Sequence, residues 1–382
     1  MRKKYLIIGD ANSMHVYNFV KTVLLPLDYE IHLMTLSCER VKESYREFYK
    51  INNIILHSIA EKVGENVPNK TKKQRFINFI KKWKMAKKLP NTDICHIHSV
   101  YKTSMYLYWF NRKKFKKMIA SYWGSDILDV SKSTLKIREK CFYRAKAITV
   151  TVKKLYVDFQ KIHGNKFNEK LRICRFATAG LECIHDISAR KSILDCRNEM
   201  SVPIGKIVIT CGYNACVDQH QDMIIKKISS LNTEIKKKIH LIIPMQYGKN
   251  DFDYIKKVYV EAQTCGCSFE ILEEYVPFEK NAVMALVTDI YIHMRDTDAF
   301  SNSLKEQVYA GSKVIMGEWL KYYELEEMKA SIILVDSFDK LPEVLMETID
   351  NMGEKRLFEP IYEMYSTKSV IGQWLQVINC CD

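Results

Sequence analysis

Short apolar runs that end in glycine or polar residues alternate with amphipathic segments along most of the chain. The first run, Lys4–Ile8, ends at Gly9, and a helical pattern over His15–Leu25 then leads to a second run at Tyr29–Thr35. Two apolar runs joined by a helix are typical of a β-α-β unit, in which the strands are parallel. The same pattern predicts further strands at Asp93–His98, Lys117–Tyr122 and Ala147–Thr151.

This alternation begins again after residue 205. A strand is predicted at Lys206–Gly212 and a helix at Gln221–Leu231. Later strands are predicted at Ile239–Pro244, Ser268–Leu272, Asp289–His293 and Lys313–Met316, and a last helix at Tyr365–Ile378. Two such series predict an α/β protein with two doubly wound, Rossmann-like domains that face each other across a cleft, with ligands at the carboxyl ends of the strands. We place the N-terminal domain at residues 1–182, the C-terminal domain at 200–362 and a C-terminal segment at 363–382.

Composition and charge narrow the class of protein. The 382 residues are 47% hydrophobic and 27% charged, which is ordinary for a folded protein of two domains. The formal net charge of +14 indicates a polyanionic partner, either nucleic acid, anionic lipid or a phosphorylated ligand. The chain shows no signal peptide and no run of 18 apolar residues. Its twelve scattered cysteines fit free thiols in a reducing compartment, so we expect a cytoplasmic protein.

Basic residues are concentrated between Lys62 and Lys117, where sixteen Lys or Arg accompany two acidic residues. Within this segment four apolar residues recur at helical spacing, Phe76, Phe79, Ile80 and Trp83, while Lys81, Lys82, Lys84 and Lys88 occupy other faces. Such a helix suits the headgroup layer of an anionic membrane, and we expect docking through residues 70–117. The alternative is a surface helix whose apolar stripe packs on its own sheet. No signature of nucleic-acid binding accompanies the charge, so we do not expect that partner.

The turns after the first strands carry candidate ligand-binding residues. Gly9, Asn12 and His15 lie where a strand passes into a helix, and backbone N–H groups there can face a negatively charged or hydroxyl-bearing ligand. The turn lacks the GxGxxG of dinucleotide sites. Asp126 follows the turn at Tyr122–Gly124, and we expect it to be exposed at the rim of the cleft.

Two histidines with a spacing of two residues point to the same side of a predicted strand. A zinc pair at His96 and His98 would need a further ligand at a suitable spacing, and none stands nearby, so we expect no metal site. We interpret His96 as a core histidine that is bonded to the backbone. His98, at the end of the strand, is the better functional candidate.

The strongest local signal is a pair of acidic residues, Asp298 and Glu306, that bracket the start of a predicted helix. Free backbone N–H groups at this helix end are suited to holding a diphosphate. They belong to Ala299, Phe300, Ser301, Asn302 and Ser303. Glu306 would then bind ribose hydroxyls, and Asp298 a hydroxyl of a transferred sugar. The alternative is a capped helix with a solvated Glu306 and Gly311 at its carboxyl end.

These motifs resemble, in order, those of family 4 glycosyltransferases of the GT-B fold. Asp93–Ser99 is similar to their D-x-x-H-x-H strand, and Ser121–Asp126 to their H-G-S-D turn. Ala179–Glu182 lies where such enzymes have a P-N-G-V-D hinge. Further on, Asp298 and Glu306 match the E-x7-E motif with aspartate in the first place, and the stretch over residues 309–315 matches A-x-G-x-P-V-I.

The resemblance implies a GT-B fold whose C-terminal helix crosses back to the N-terminal domain. It also implies a retaining transfer from a nucleotide-sugar that requires neither a metal nor another cofactor. In that scheme His98, Asp298 and Glu306 contact the donor, while Gly9, Asn12, His15 and Asp126 lie on the acceptor side. One departure concerns the Arg and Lys that usually neutralise the diphosphate, because Tyr213–Asn214 and Gln219–His220 stand in those places. The donor set is then Gly212, Asn214 and His220 together with the helix start. Either backbone amides, His220 and a lysine such as Lys305 hold the diphosphate, or the donor binds in a different position.

A narrower resemblance is to bacterial envelope-polysaccharide transferases of the 4-acetamido-fucosyl transferase type. Gly212–Ala215 with Gln219–His220, and Ile243–Gly248, are similar to their G-N-x-x…N-H and V-P-M-x-Y motifs. This resemblance implies a lipid-linked or oligosaccharide acceptor in O-antigen or capsule synthesis, and a peripheral location at the inner face of the plasma membrane. The alternatives are a nucleotide-sugar epimerase of the same fold and a non-enzymatic basic protein that binds membrane or RNA.

Overall fold

A computed structural model describes residues 2–60, 71–249, 251–274 and 276–380. Two compact units make up the chain. The N-terminal unit runs to Ala177 and resumes at Thr367, and the C-terminal unit spans Thr178–Ser366. The part of the predicted basic segment at residues 62–70 lies outside the described residues.

A parallel sheet forms the centre of the N-terminal unit. Its strands are β1 (Lys3–Gly9), β2 (Tyr29–Thr35), β3 (Ile55–His57), β4 (Thr92–His98), β5 (Phe115–Ser121), β6 (Ala147–Val150) and β7 (Leu171–Ile173). Their order is β3-β2-β1-β4-β5-β6-β7. β1 pairs with β2 on one side and β4 on the other. The chain therefore winds in both directions from β1, and the carboxyl ends of β1 and β4 flank the crevice where such sheets bind ligands.

Helices cover both faces of this sheet, and consecutive residues of its central strands β1 and β4 are therefore buried on each side. These helices are α1 (Met14–Phe19), α2 (Glu43–Ile51), α3 (Lys72–Lys88), α4 (Lys102–Asn111), α5 (Lys132–Arg144) and α6 (Lys153–His163). Short 3₁₀ turns lie at Arg112–Lys114 and Ser125–Leu128. The predicted helix over His15–Leu25 begins as α1 and continues as a π-helical turn, Val20–Leu24.

Helix α3 buries a different side from the one that its apolar stripe predicts. Asn78, Lys82 and Ala86 are its buried residues, and the Nζ of Lys82 donates to the carbonyl of Leu36 at 2.5 Å. Lys82 is therefore an interior residue, and its assignment to a solvated lysine face is wrong. Of the predicted apolar stripe, Phe76 is 66% exposed, whereas Phe79, Ile80 and Trp83 are half-buried. Across the residues described, no helix combines the length and the apolar character that a bilayer crossing requires.

The C-terminal unit repeats this plan around a second parallel sheet. Its strands are β8 (Ile207–Cys211), β9 (Ile239–Pro244), β10 (Ser268–Leu272), β11 (Ile290–His293), β12 (Lys313–Gly317) and β13 (Ile332–Val335), in the order β10-β9-β8-β11-β12-β13. The crevice of this sheet lies beside the carboxyl ends of β8 and β11, which pair in parallel.

The helices of this unit pack on both faces of its sheet. They are α7 (Ala179–Ser188), α8 (Ile193–Glu199), α9 (Gln221–Ser229), α10 (Thr233–Lys237), α11 (Phe252–Thr264), α12 (Phe278–Val287), α13 (Asn302–Tyr309), α14 (Tyr323–Glu327), α15 (Leu341–Asp350) and α16 (Glu359–Tyr365). Two 3₁₀ turns lie at Val217–Gln219 and Phe338–Lys340. The interior of the unit combines side chains of the strands with those of α9, α11 and α15, such as Ile224, Val258 and Leu345.

The last helix, α17 (Thr367–Asn379), belongs to the N-terminal unit, as the GT-B resemblance implies. The predicted single helix from Tyr365 is interrupted, because α16 ends at that residue and α17 starts two residues later. Trp374 of α17 is 1% exposed and its ring packs 4.8 Å from that of Phe19. The Nε1 of Trp374 donates to the carbonyl of Arg175 at 2.9 Å.

Candidate functional site

The crevice of the N-terminal sheet brings Gly9 and His98 together. A Cβ at Gly9 would lie 3.0 Å from the Cβ of His98, so only glycine lets the end of β1 approach the end of β4 this closely. The ring of His98 stands 4.8 Å from that of Trp123. Its Nδ1 is buried and has no hydrogen-bond partner in the described part of the chain. A buried ring nitrogen of this kind is available to a ligand hydroxyl.

His98 is held in place by a chain of buried polar groups. Its Nε2 lies 3.1 Å from Nδ1 of His96, which also contacts the hydroxyl of Tyr5 at 2.8 Å. The Nε2 of His96 lies 2.6 Å from the hydroxyl of Ser121. His96 is thus a core residue, as predicted. The prediction that it bonds to the backbone is wrong, because its partners are side chains. Burial lowers the pKa of His96 to about 3 and that of His98 well below its usual value, so both rings are neutral hydrogen-bonding groups.

Aromatic rings form a wall beside His98 that the sequence did not indicate. Trp123 stacks on Phe176 with a centroid separation of 4.3 Å, and its Nε1 is buried without a partner among the described residues. His15 is exposed and packs 4.9 Å from Trp123. Rings with unused polar edges are typical of sugar and nucleoside sites. The signal in the sequence was the position of Trp123 directly after β5, in the turn that contains Asp126.

Asp126 is not exposed at a rim, and that prediction is wrong. Its carboxylate is buried and accepts from the N–H groups of Val100, Trp123 and Gly124, each at 3.0 Å. Burial raises the pKa of Asp126, and these N–H groups oppose the rise. Arg138, fully buried, donates from its Nε to the carbonyl of Val100 at 2.8 Å. Asp126 therefore shapes the two loops around the crevice and has no oxygen pointing outward.

Asn12 is also occupied by the protein itself. Its Nδ2 donates to the carbonyl of Arg40 at 3.0 Å, and its Oδ1 accepts from the N–H of Lys42 at 2.8 Å. The side chain thus fastens the loop after β2 to the turn after β1. Asn12 was predicted to face the acceptor, but its contacts make it a residue that positions these two loops.

The crevice of the C-terminal sheet begins at Gly212, whose φ of +64° suits glycine. Asn214 is buried, and its Oδ1 accepts from the N–H of Cys216 at 2.9 Å. His220 adopts a left-handed φ of +53° and its Nε2 contacts Asp296 at 2.7 Å. The predicted role of His220 as a phosphate partner therefore competes with its hydrogen bond to Asp296.

Asp298 is the centre of a polar cluster, whose donors occupy both of its carboxylate oxygens. The N–H of Ser301 and the hydroxyl of Tyr322 donate to its Oδ2 at 2.8 and 2.9 Å, and the hydroxyl of Tyr213 donates to its Oδ1 at 3.1 Å. The side chain is 5% exposed. Burial by itself would raise the pKa of Asp298, but His293, the Ser301 N–H and Tyr322 outweigh it and hold the pKa below its usual value. The carboxylate positions the loop that leads into α13.

The start of α13 matches the predicted helix start. Ser301 caps it, accepting from the N–H of Leu304 at 3.4 Å, and Ala299 and Asn302 are exposed. The first residues of a helix, here Asn302 and Ser303, present N–H groups without intrahelical partners. Phe300 has a φ of +64° and is buried.

Lys305 lies beside this helix start, but protein groups surround its ammonium group. It is buried, and its Nζ lies 5.0 Å from the ring of Phe300 and 4.7 Å from that of Tyr365. The Nζ also donates to Oδ1 of Asn302 at 3.3 Å. Its predicted use as the missing phosphate cation is therefore not supported by its surroundings.

Glu306 is partly buried against the amino terminus of α7. A Cβ added at Gly180 would lie 2.0 Å from Oε1 of Glu306, so the two segments are in direct contact. Burial raises the pKa of Glu306 to about 7, and Lys305 opposes part of that rise. A solvated helix glutamate, the alternative interpretation, is excluded by this packing.

Arg295 is a cation that the motif pattern did not predict. It follows β11 by two residues, and its Nε donates to Oδ2 of Asp218 at 2.8 Å. Its Nη1 donates to the hydroxyl of Tyr213 and lies 3.5 Å from Oδ1 of Asp298. These contacts use only part of the five N–H groups of a guanidinium. Its Nη2 also lies 2.8 Å from Oδ2 of Asp218, and the side chain is 22% exposed. Arg295 is therefore a partly exposed cation, paired with Asp218 and Asp298, at the end of the strand beside β8.

Within the described ranges, no group of three or more His, Cys, Asp or Glu side chains could hold a metal ion. The polar clusters of both units are instead bonded to their own backbone and hydroxyl groups.

Comparison with known proteins connects this geometry to a known architecture. The chain has the GT-B fold. Residues 4–152 match the family model described as Glycosyl transferase 4-like. No curated protein sequence matches the chain.

Solved structures match the whole chain at low sequence identity. Sucrose-phosphate synthase from Thermosynechococcus elongatus superimposes with a TM-score of 0.68 at 12% identity, covering 99% of this chain and 98% of that one. Anabaena HepE in complex with UDP and glucose gives 0.67 at 11%, with 99% of both chains covered. A UDP-forming α,α-trehalose-phosphate synthase from Burkholderia xenovorans gives 0.64 at 10%, again with 99% of both chains covered.

Proposed function

We propose that this chain is a glycosyltransferase that moves a sugar from a nucleotide-sugar to a lipid-linked or oligosaccharide acceptor in envelope polysaccharide synthesis. The observation that carries the proposal is the loop from β11 to α13. There a helix start with an exposed Asn302 follows Arg295 in the sequence and precedes the partly buried Glu306. This arrangement offers dipoles and a cation to a diphosphate and a carboxylate to ribose hydroxyls. The N-terminal match to a glycosyltransferase model and the UDP complex of HepE support the same donor class.

In the proposed reaction the bond between the anomeric carbon and the diphosphate breaks, and negative charge grows on the leaving phosphate oxygen. The N–H groups of Asn302 and Ser303 and the guanidinium of Arg295 would stabilise that charge, and such electrostatic stabilisation commonly contributes most to catalysis of this kind. The leaving oxygen would take the proton of the acceptor hydroxyl as the new bond forms on the same face. His98, neutral and with a free Nδ1, would bond to a sugar hydroxyl. No step of this scheme uses a metal.

Membrane association is the second part of the proposal. Phe76 and Ile77 on α3 are 66% and 43% exposed, and Phe110 on α4 is 54% exposed. Lysines surround them in the segment 71–117. Exposed aromatic residues among cations suit the headgroup region of an anionic bilayer, where the lipid-linked acceptor would be met.

A donor screen tests the activity. The thermal shift and the hydrolysis of UDP-, GDP-, dTDP- and CMP-sugars would be measured on the full chain, with Glu306→Ala beside a matched surface control, Glu347→Ala on α15. We expect one nucleotide class to stabilise the wild type and the control, and Glu306→Ala to lose that shift together with turnover. Full turnover by Glu306→Ala would refute the site. Conversion of the donor to free nucleotide and a free epimerised sugar would instead identify an epimerase.

A further inference from the structure

A basic cavity opens in the N-terminal unit, outside the crevice formed by β1 and β4. It has a volume of about 480 Å³ and lies between α2, the loop after β2 and the strand β3. Arg40, Arg46 and Lys50 line it together with Tyr49 and Leu56. Volumes of this size are typical of sites for small organic ligands.

Two of the three cations that line this cavity have no ion pair with any residue that the structure describes. Arg46, Tyr49 and Lys50 project from one face of α2, because they stand at i, i+3 and i+4. Neither Arg46 nor Lys50 has a carboxylate partner among the described residues, and the lining residues that the structure describes include no acid. Arg40 pairs with Glu43 through Nη2 at 3.3 Å, while its Nε is buried and has no hydrogen-bond partner in the same described part.

A buried guanidinium nitrogen without a partner costs free energy unless a ligand satisfies it. Three cations around one cavity favour an anion with several oxygens, and arginine is especially suited to phosphate. The rest of the described lining is mostly apolar, with Leu56 beside Val41 and Ile54, and includes one serine, Ser58. The cavity is thus suited to a phosphate group that is attached to a hydrocarbon.

Two side-chain contacts fasten this cavity to the turn after β1. The hydroxyl of Tyr49 donates to the carbonyl of Ala11 at 3.0 Å. Asn12 bonds to the backbone of Arg40 and Lys42. A ligand held in the cavity is therefore held at a fixed position relative to Gly9.

We propose that this cavity binds the phosphate or diphosphate of an isoprenoid-linked acceptor, with Arg40, Arg46 and Lys50 on the phosphate oxygens and the apolar wall on the first carbons of the chain. The inference rests on the proposed function and deepens it, since it assigns an acceptor class to a named site. In this proposal Asn12 acts as a positioning residue, because it fixes one wall of the cavity.

The test uses the full chain and geranyl diphosphate as a soluble probe. The double variant Arg46→Gln/Lys50→Gln is compared with a charge-matched control in the same unit, Lys132→Gln/Lys136→Gln, whose residues are exposed on α5. We expect the Kd for geranyl diphosphate, measured by calorimetry, to rise at least about tenfold in the cavity variant and to stay unchanged in the control. All of these side chains are exposed, so thermal unfolding should be the same in each protein.

Further arms distinguish the sources of phosphate. Inorganic pyrophosphate should bind more weakly than geranyl diphosphate, because it lacks the hydrocarbon. Equal binding of the two would overturn the isoprenoid assignment. The affinity for anionic vesicles that contain no diphosphate should fall no further in the cavity variant than in the control variant. If only the cavity variant binds these vesicles more weakly, the cavity binds a lipid headgroup and the acceptor assignment is overturned.

The thermal shift caused by nucleotide-sugars is measured on the same samples, so that the proposed function and the cavity assignment can fail separately. If the wild type binds the nucleotide but not geranyl diphosphate, only the cavity assignment fails. If no nucleotide binds, the proposed function fails, whatever the cavity holds.

Discussion

At the residue scale, Glu306 is distinguished by the cost of its ionisation. Its carboxyl packs against Gly180, and burial raises its pKa from 4.5 to about 7. In the unfolded chain the same carboxyl is ionised at lower pH. Between pH 4.5 and about 7 the folded protein therefore binds more protons at Glu306 than the unfolded chain does. The contribution of Glu306 to the free energy of unfolding consequently falls as the pH rises through this range.

Glu306→Gln removes this titration. Relative to the wild type, the variant should become more stable as the pH is raised from about 5 to about 8, by on the order of 2 kcal/mol. Urea titrations of both proteins at several pH values measure the difference. A difference that is constant across this range would contradict the buried position of the carboxyl. Glu347→Gln, on the exposed face of α15, provides the control.

Asp298 is expected to act through its neighbours. In Asp298→Asn one acceptor oxygen becomes an NH2 group that faces hydroxyl or N–H donors, and Arg295 loses a counter-charge. We expect a loss of about 3 kcal/mol in the free energy of unfolding, because a buried charged cluster is left unbalanced. Asp253→Asn, at an exposed position of α11, should change stability little. Retention of wild-type stability by Asp298→Asn would show that the carboxylate is not the centre of the cluster.

The sequence located these residues better than it oriented them. Motif spacing placed Asp126 and Asp298 in the turns after strands, and the structure has both there. It did not reveal that both carboxylates turn inward, since that depends on N–H groups and hydroxyls from distant segments such as Val100 and Tyr322. Arg295 was not predicted for the converse reason, because it occupies no position of the motif.

At the element scale, the periodicity of α3 predicted that a helix forms but not which side of the helix is buried. Its length and its capping residue, Thr71, are local properties, and the helix formed where it was predicted. The side that it buries was decided by the loop after β2, whose carbonyl at Leu36 binds Lys82. As a result Phe76 is left exposed, while Phe79, Ile80 and Trp83 are only half-buried.

The membrane proposal gives this element a prediction. Replacing Phe76 and Ile77 by serine should lower binding to vesicles of anionic lipid about tenfold or more, because each side chain contributes apolar area to the headgroup layer. Thermal stability should hardly change, since both side chains are largely exposed. Co-sedimentation measures the binding. Lys82→Met, in contrast, should destabilise the protein, and unchanged vesicle binding by the serine variant would argue against docking through α3.

At the scale of the whole molecule, the N-terminal unit depends on the last helix of the chain. Trp374→Ala would leave a cavity beside Phe19 and His96. We expect a loss of about 3–5 kcal/mol in the stability of this unit. Hydrogen exchange resolved along the sequence should show faster exchange in β1 and β4, with little change in β8 and β11. Trp319→Ala, at a side chain that is 40% exposed in the C-terminal unit, is the control, and equal exchange in both variants would contradict the assignment of α17.

The sequence by itself determined most of the strands, their parallel arrangement and the two successive α/β series, because apolar periodicity and turn residues are local properties that survive any detail of packing. The short strands β3 and β13 were not predicted. The GT-B fold was indicated by the resemblance of the motifs to a known family. Tertiary structure alone decided which polar side chains remain available to a ligand. Asn12, Asp126, Asp298 and Lys305 are taken up by protein groups, whereas His98, Arg295 and the cavity cations keep unused hydrogen-bonding capacity. The physical reason is that a buried polar group must find a partner, and its partners come from segments far away in the sequence.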